Sequence, residues 1–178
     1  EFKKYKILNK FTALDYKDIN KWFADHKDAY LVTDKIENIS LIENLLNIEK
    51  KRIMIEVFNQ DILRELVSKN YQVIPFLGLL KTMSDPIKFL KENNIQFIST
   101  SHKIKRLLKK KHIHYWLNLF NPILERDLIN NGFKFIAFNL NQKRRNISEI
   151  ELMCNYSDVF YGIYADKWNF DKKTYCNE

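Results

Sequence analysis

RIMIEVFNQDILRELVSKNYQVIPFLG, residues 52–78, carries the pattern on which the fold depends. An apolar run, RIMIEVFN (52–59), gives way to an amphipathic stretch opened by Asn59, and a second apolar run, YQVIPFLG (71–78), follows. The two runs read as strands apolar on both faces, as in a sheet covered on both sides, and residues 60–69 read as the helix between them.

The same alternation extends in both directions. Strands are expected at YLVTD (30–34), IQFIST (95–100), IHYWLNLF (113–120), FKFIAFNL (133–140) and VFYGIYAD (159–166), with an eighth candidate in FKKYKIL near the N-terminus. Helices are expected near 15–25, 38–49, 84–92, 102–111, 122–131 and 147–154. Asp15 before YKDINKWF and Ser84-Asp85-Pro86 before IKFLKEN are start signals, because a short polar side chain accepts the free amides of a first turn and proline suits its first position. Such repetition predicts an α/β fold with a parallel sheet surrounded by helices, either doubly wound or a (β/α) TIM-barrel-like arrangement. Right-handed crossovers place every strand's C-terminal end on one side, which in a barrel is the side that holds the chemistry.

The 178 residues are 46% hydrophobic and 14% aromatic, which predicts a folded chain of one domain and excludes a disordered tail. A net charge of +8 favours an anionic partner without choosing one. No apolar run reaches the ~18 residues of a membrane span, and the first residues do not resemble a signal peptide. Because the chain starts at Glu1 and not at methionine, we expect a processed start or a piece of something longer. Cys154 and Cys176 stand apart from any metal-ligand spacing, and the sequons at Asn38, Asn146 and Asn155 are what an Asn-rich chain yields by chance.

The strand ends form the candidate site. YLVTDK ends in Asp34 and Lys35, RIMIEVFN carries Glu56 and ends at Asn59, and IHYWLNLFN carries Trp116 and Asn118. Asp34 and Glu56 are hard oxygen donors suited to a divalent cation such as Ca²⁺ or Mg²⁺, and Lys35 is a point charge for a phosphate oxygen. The plainer readings are an N-cap role for Asp34 and an outward-facing or ion-paired position for Glu56.

The order of these segments is itself informative. KFTALDYKDINKWFADHKDAYLVTDK, then IMIEVFNQDILRELVSKNYQVIPFLGL, then IHYWLNLFNPILERDLINNGFKFIAFN resembles the later part of the glycerophosphodiester phosphodiesterase family, in the bacterial branch grouped with phosphatidylinositol-specific phospholipase C-like phosphodiesterases. The likeness covers roughly residues 8–140, and its motifs are short. It implies a TIM barrel that hydrolyses glycerol- or lipid-linked phosphodiesters with a divalent cation and a pair of histidines. Carried over by position, Asp34 would be a metal ligand and Lys35 the phosphate contact, with Trp116 and Asn118 lining the pocket.

The family's histidine pair and its glutamate-x-aspartate ligands have no counterpart, since no H-R-G or E-x-D precedes residue 30. The chain is therefore expected to be the C-terminal portion of such a barrel, inactive alone, or a relative that binds phosphorylated glycans, anionic lipid surfaces or nucleic acid without hydrolysis. A partial barrel exposes strand edges, so a missing segment or a second copy is an expected partner. GIYAD (162–166) resembles the family's closing strand better than FKFIAFN does, which leaves open whether 133–140 or 159–166 closes the sheet.

Two other features invite a function. His102, His112 and His114 flank a basic run in which Lys103, Lys105, Arg106, Lys109, Lys110 and Lys111 offer a surface for anionic headgroups, and nucleic acid is the remoter partner. The plainer reading is a solvated helix face with surface histidines, and His26, in ADHKD, reads as exposed.

Overall fold

The computed structural model describes residues 6–7, 11–34, 36, 38–101, 122–138 and 160–164. Its centre is the strand–helix–strand of residues 52–78. Strand β4 (Ile53–Val57) is buried at every position, as a strand apolar on both faces must be when elements cover both sides. It leads into α3 (Gln60–Ser68) and then β5 (Gln72–Pro75).

The return from helix to strand uses one device three times. At the end of α3 the amide of Tyr71 donates to the Leu66 carbonyl at 3.0 Å and that of Asn70 to Val67 at 3.0 Å, with Asn70 at φ 60°. After α5 (Pro86–Glu92) Ile95 donates to Leu90 at 2.9 Å and Asn94, at φ 53°, to Lys91 at 3.2 Å. After α6 (Pro122–Asn130) Phe133 donates to Leu128 at 3.1 Å and Gly132, at φ 82°, to Ile129 at 2.9 Å. These paired bonds satisfy the last helical carbonyls, and the left-handed residue turns the chain back. Leu66, Leu90 and Leu128 are fully buried, and the carbonyl of each accepts from the amide of the buried residue just before the next strand.

Contacts gather the chain into two compact units. The first comprises residues 1–57 and 61–73, the second residues 58–60 and 74–178. In the first, β1 (Lys6–Ile7) pairs antiparallel with β2 (Phe11–Thr12) as a local hairpin. The strand candidate in FKKYKIL thus supplies β1, paired antiparallel with its neighbour in sequence.

Helix α1 (Tyr16–Asp25) starts at Asp15, whose carboxylate accepts from Lys17 and Asp18 amides, while Asp18 reciprocates on the Asp15 amide at 3.0 Å. Its C-terminal carbonyls are met by Arg52, only 8% exposed, which donates to Phe23, His26 and Ala29 and lies over the Phe23 ring at 5.1 Å. Strand β3 (Leu31–Thr33) runs parallel to β4 with Leu31 opposite Ile53 and Thr33 opposite Ile55. The order in this sheet is β3-β4-β5. Helix α2 (Ile39–Leu45) buries Ile39 and Ile42, one turn apart.

β5 ends sooner than the apolar run does. Leu77–Leu80 forms a short helix, α4, and Phe76 makes an isolated parallel bridge to Ser99. Strands β6 (Phe97–Ser101), β7 (Lys134–Phe138) and β8 (Phe160–Ile163) form a parallel sheet in that order. FKFIAF and FYGI are thus neighbours in one sheet, with β8 as its outer strand. Leu80, Leu90, Ile98, Leu128 and Phe135 are fully buried in the second unit. The architecture is α/β with two three-stranded parallel sheets. The helices expected at 102–111 and 147–154 and the strand at 113–120 lie outside the described residues.

Candidate functional site

The β3–β4 pair sets the position of the two acids. Thr33 and Ile55 are the last partners in register, and the next residues along the two strands are Asp34 and Glu56. Side chains alternate along a strand, so Glu56 shares a face of β4 with Met54, the partner of Val32. Asp34 lies in the bend just past the end of β3 and Glu56 in the last part of β4, so both acids stand near the C-terminal end of a parallel pair.

Their environments differ. Asp34 sits in an exposed bend, whereas Glu56 is 5% exposed. Burial at Glu56 corrects its reading as an outward-facing residue: β4 is the middle strand of its sheet and has no solvent face. Nor is Asp34 a helix cap. Helix α2 begins at Ile39 with Asn38 in the cap place, because the buried pair Ile39 and Ile42 fixes where the helical stripe starts.

Asn59 is exposed, in the short link after β4 and directly before α3, in the second unit. Lys35, Trp116 and Asn118 lie outside the described residues, as do His102, His112, His114 and the basic run 103–111. His26 is exposed, as expected. It stacks on Trp22 with ring centroids 3.9 Å apart, and its Nδ1 lies 2.8 Å from the Trp22 carbonyl.

A second polar group, which the spacing of residues did not reveal, lies in the second unit. Lys81, just after α4, donates to Glu125 Oε1 at 2.6 Å, and Glu125 is 3% exposed. A signal existed within α6: Glu125 precedes Leu128 by three and Ile129 by four, so it falls on the apolar stripe. Its partner, 44 residues away, leaves no local trace. Ser99 and Thr100 on β6 are also buried.

Shifted ionisations occur in the first unit at Tyr71, Lys51, Glu49 and Lys69. Burial holds the Tyr71 phenol above its ordinary value, with Lys50 lying over its ring at 4.8 Å. The hydrogen bond between Lys51 and Glu49 raises the amine and lowers the carboxyl, and the hydrogen bond to Glu65 raises Lys69.

The donor chemistry of Asp34 and Glu56 suits a cation that keeps much of its shell as water and phosphate, which is the habit of Mg²⁺. It does not by itself suit a cage built from protein alone. Among the described residues no three His, Cys, Asp or Glu side chains gather as a metal-holding group, and no helix is long and apolar enough to cross a membrane. Comparison with known proteins adds no relative: no protein-family model, no curated protein and no solved structure matches this chain.

Proposed function

We propose that this chain is a phosphodiesterase-like (β/α) barrel portion that binds a glycerol- or lipid-linked phosphodiester through a divalent cation at the strand ends. The observation that supports the reading is that Asp34 directly follows Thr33 and Glu56 directly follows Ile55, the last residues paired in register between β3 and β4. Strand order supports the barrel part of it. Within each sheet neighbours follow chain order, β3-β4-β5 in one and β6-β7-β8 in the other, and singly wound parallel strands are the barrel habit. A doubly wound sheet would instead reverse its order at a switch point.

In this reading Asp34 and Glu56 supply carboxylate oxygens, and Lys35 meets a phosphate oxygen. A bound cation would neutralise phosphate charge. Hydrolysis needs an acid–base pair that this sequence does not provide in the family's form, so binding is the activity assigned to the chain. Calorimetric titration of Mg²⁺ and Ca²⁺ in the presence of glycerophosphoglycerol is the test. Saturable binding that Asp34→Asn weakens at least tenfold supports the reading, and equal affinity in the variant removes it.

A further inference from the structure

The turn between α6 and β7 holds the only Asn-Gly pair in the sequence, Asn131-Gly132, and both residues are exposed. This pair is chemically special. Glycine has no side chain to shield its main-chain nitrogen and has the widest backbone freedom, so that nitrogen can reach the side-chain amide carbon of the asparagine before it. Gly132 stands at φ 82°, with nothing within 4 Å of a Cβ added to it. Lys91, Asn131 and Gly132 also line an open groove of about 440 Å³, so water and hydroxide reach the reacting atoms.

Three hydrogen bonds restrain the pair. Asn131 Oδ1 accepts from Lys91 Nζ at 2.6 Å, and Asn131 Nδ2 donates to the Asp127 carbonyl at 2.7 Å. The Gly132 amide donates to the Ile129 carbonyl at 2.9 Å. Ring closure requires Gly132 to release the proton shared with Ile129, and the Asn131 carboxamide to leave both of its partners and swing over that nitrogen. All three bonds lie at an exposed helix end, where local opening needs far less free energy than unfolding of the whole chain. The Lys91 ammonium also draws electrons from the side-chain carbonyl, which favours attack. A carboxamide pinned at both ends cannot use that help, so restraint prevails.

We propose that Asn131 is a site of self-modification, at which a turn held shut by Lys91 opens and converts slowly to aspartyl and isoaspartyl forms. The deprotonated Gly132 nitrogen attacks Asn131 Cγ, the Cγ–Nδ2 bond breaks as ammonia leaves, and water opens the resulting five-membered imide at either carbonyl. One amide and one water become one carboxylate and one ammonium ion. The product places a new negative charge where Lys91 reaches, and the isoaspartyl form adds a methylene to the main chain within the turn that the Gly132–Ile129 bond closes. Modification therefore loosens the joint between α6 and β7. It requires neither phosphate nor metal, so it stands apart from the phosphodiester reading.

The test is ageing of the whole chain in H₂¹⁸O at mildly alkaline pH, followed by peptide mapping with fragmentation that separates aspartyl from isoaspartyl residues. The peptide containing Asn131 should take up ¹⁸O in a new carboxyl group before any other asparagine peptide, with isoaspartate in excess. Lys91→Met, which keeps the apolar stem, should speed the conversion several-fold, whereas Lys88→Met, on the same helix but facing Glu92 at 3.9 Å, should leave it unchanged. Urea unfolding of both variants shows whether the effect is local, and the wild-type map decides even if Lys91→Met fails to fold. An Asn131 peptide that stays intact while other asparagine peptides convert overturns the proposal, as does a Lys91→Met rate equal to that of Lys88→Met.

Discussion

Replacing Arg52 by methionine should destabilise the first unit by about 4 kcal/mol, because this guanidinium closes the C-terminal end of α1 and ties it to the start of β4. Arg52 donates to the Ala29 carbonyl at 3.0 Å and closely to His26, while its contacts to Phe23 are longer, at 3.4 and 3.5 Å. Hydrogen bonds made by a charged donor contribute roughly 1.5–3 kcal/mol each, so the two close ones account for about 3–4 kcal/mol, taken near the lower half of that range. Stacking over the Phe23 ring adds roughly 0.5–1 kcal/mol. Methionine keeps the apolar stem and fills much of the space, so the loss is chiefly that of the donors. Lysine at this position keeps the charge but has no planar fork for three carbonyls, and should recover less than half of the loss. Urea unfolding followed by far-UV circular dichroism measures both variants. A loss below about 1 kcal/mol for Arg52→Met would refute the view that this side chain locks the helix to the strand.

Three further outcomes are expected. A Cβ at Gly78 would run into the Phe76 ring, so Gly78→Ala should cost about 1–3 kcal/mol by overpacking, and Phe76→Leu in the same chain should recover most of it. Nothing lies within 4 Å of a Cβ added at Gly132, whose φ is 82°, so Gly132→Ala should cost about 1–2 kcal/mol through backbone conformation alone, read by chemical denaturation. Tyr71 and Lys69 are raised above ordinary values of 10.0 and 10.5, so each binds its proton more tightly when folded; their stabilisation is complete below those values and is lost as pH rises through the folded ones. Alkaline unfolding curves should therefore fall above about pH 10, and the fall should be shallower in Tyr71→Phe and Glu65→Gln, an identical slope in both variants being the contrary result.

Element positions were largely legible because the strands are apolar on both faces and the helices carry local start signals. Asp15 and Asp85 both cap as expected, the latter accepting from the Lys88 amide at 3.0 Å. What local pattern could not show is where an apolar run changes conformation: the helix at Leu77–Leu80 continues the hydrophobicity of β5 without a break in period. Long-range order was equally hidden. The burial of Glu56 depends on β4 being the middle strand, and the Lys81–Glu125 pair depends on how two distant helical segments meet. Asp34 was visible as a strand-end acid, but that β3 runs beside β4, with Thr33 opposite Ile55, came only from the strand pairing.

Paramagnetic broadening by Mn²⁺, used in place of Mg²⁺, tests the central claim most directly, because it maps a bound cation onto the chain residue by residue. Added to ¹⁵N-labelled protein with a saturating glycerophosphodiester, it should first bleach the amides around Asp34 and Glu56, and Asn substitution at Asp34 should abolish the effect. Broadening centred elsewhere, or unchanged in the variant, would contradict the assignment of the β3–β4 strand ends as the phosphodiester site.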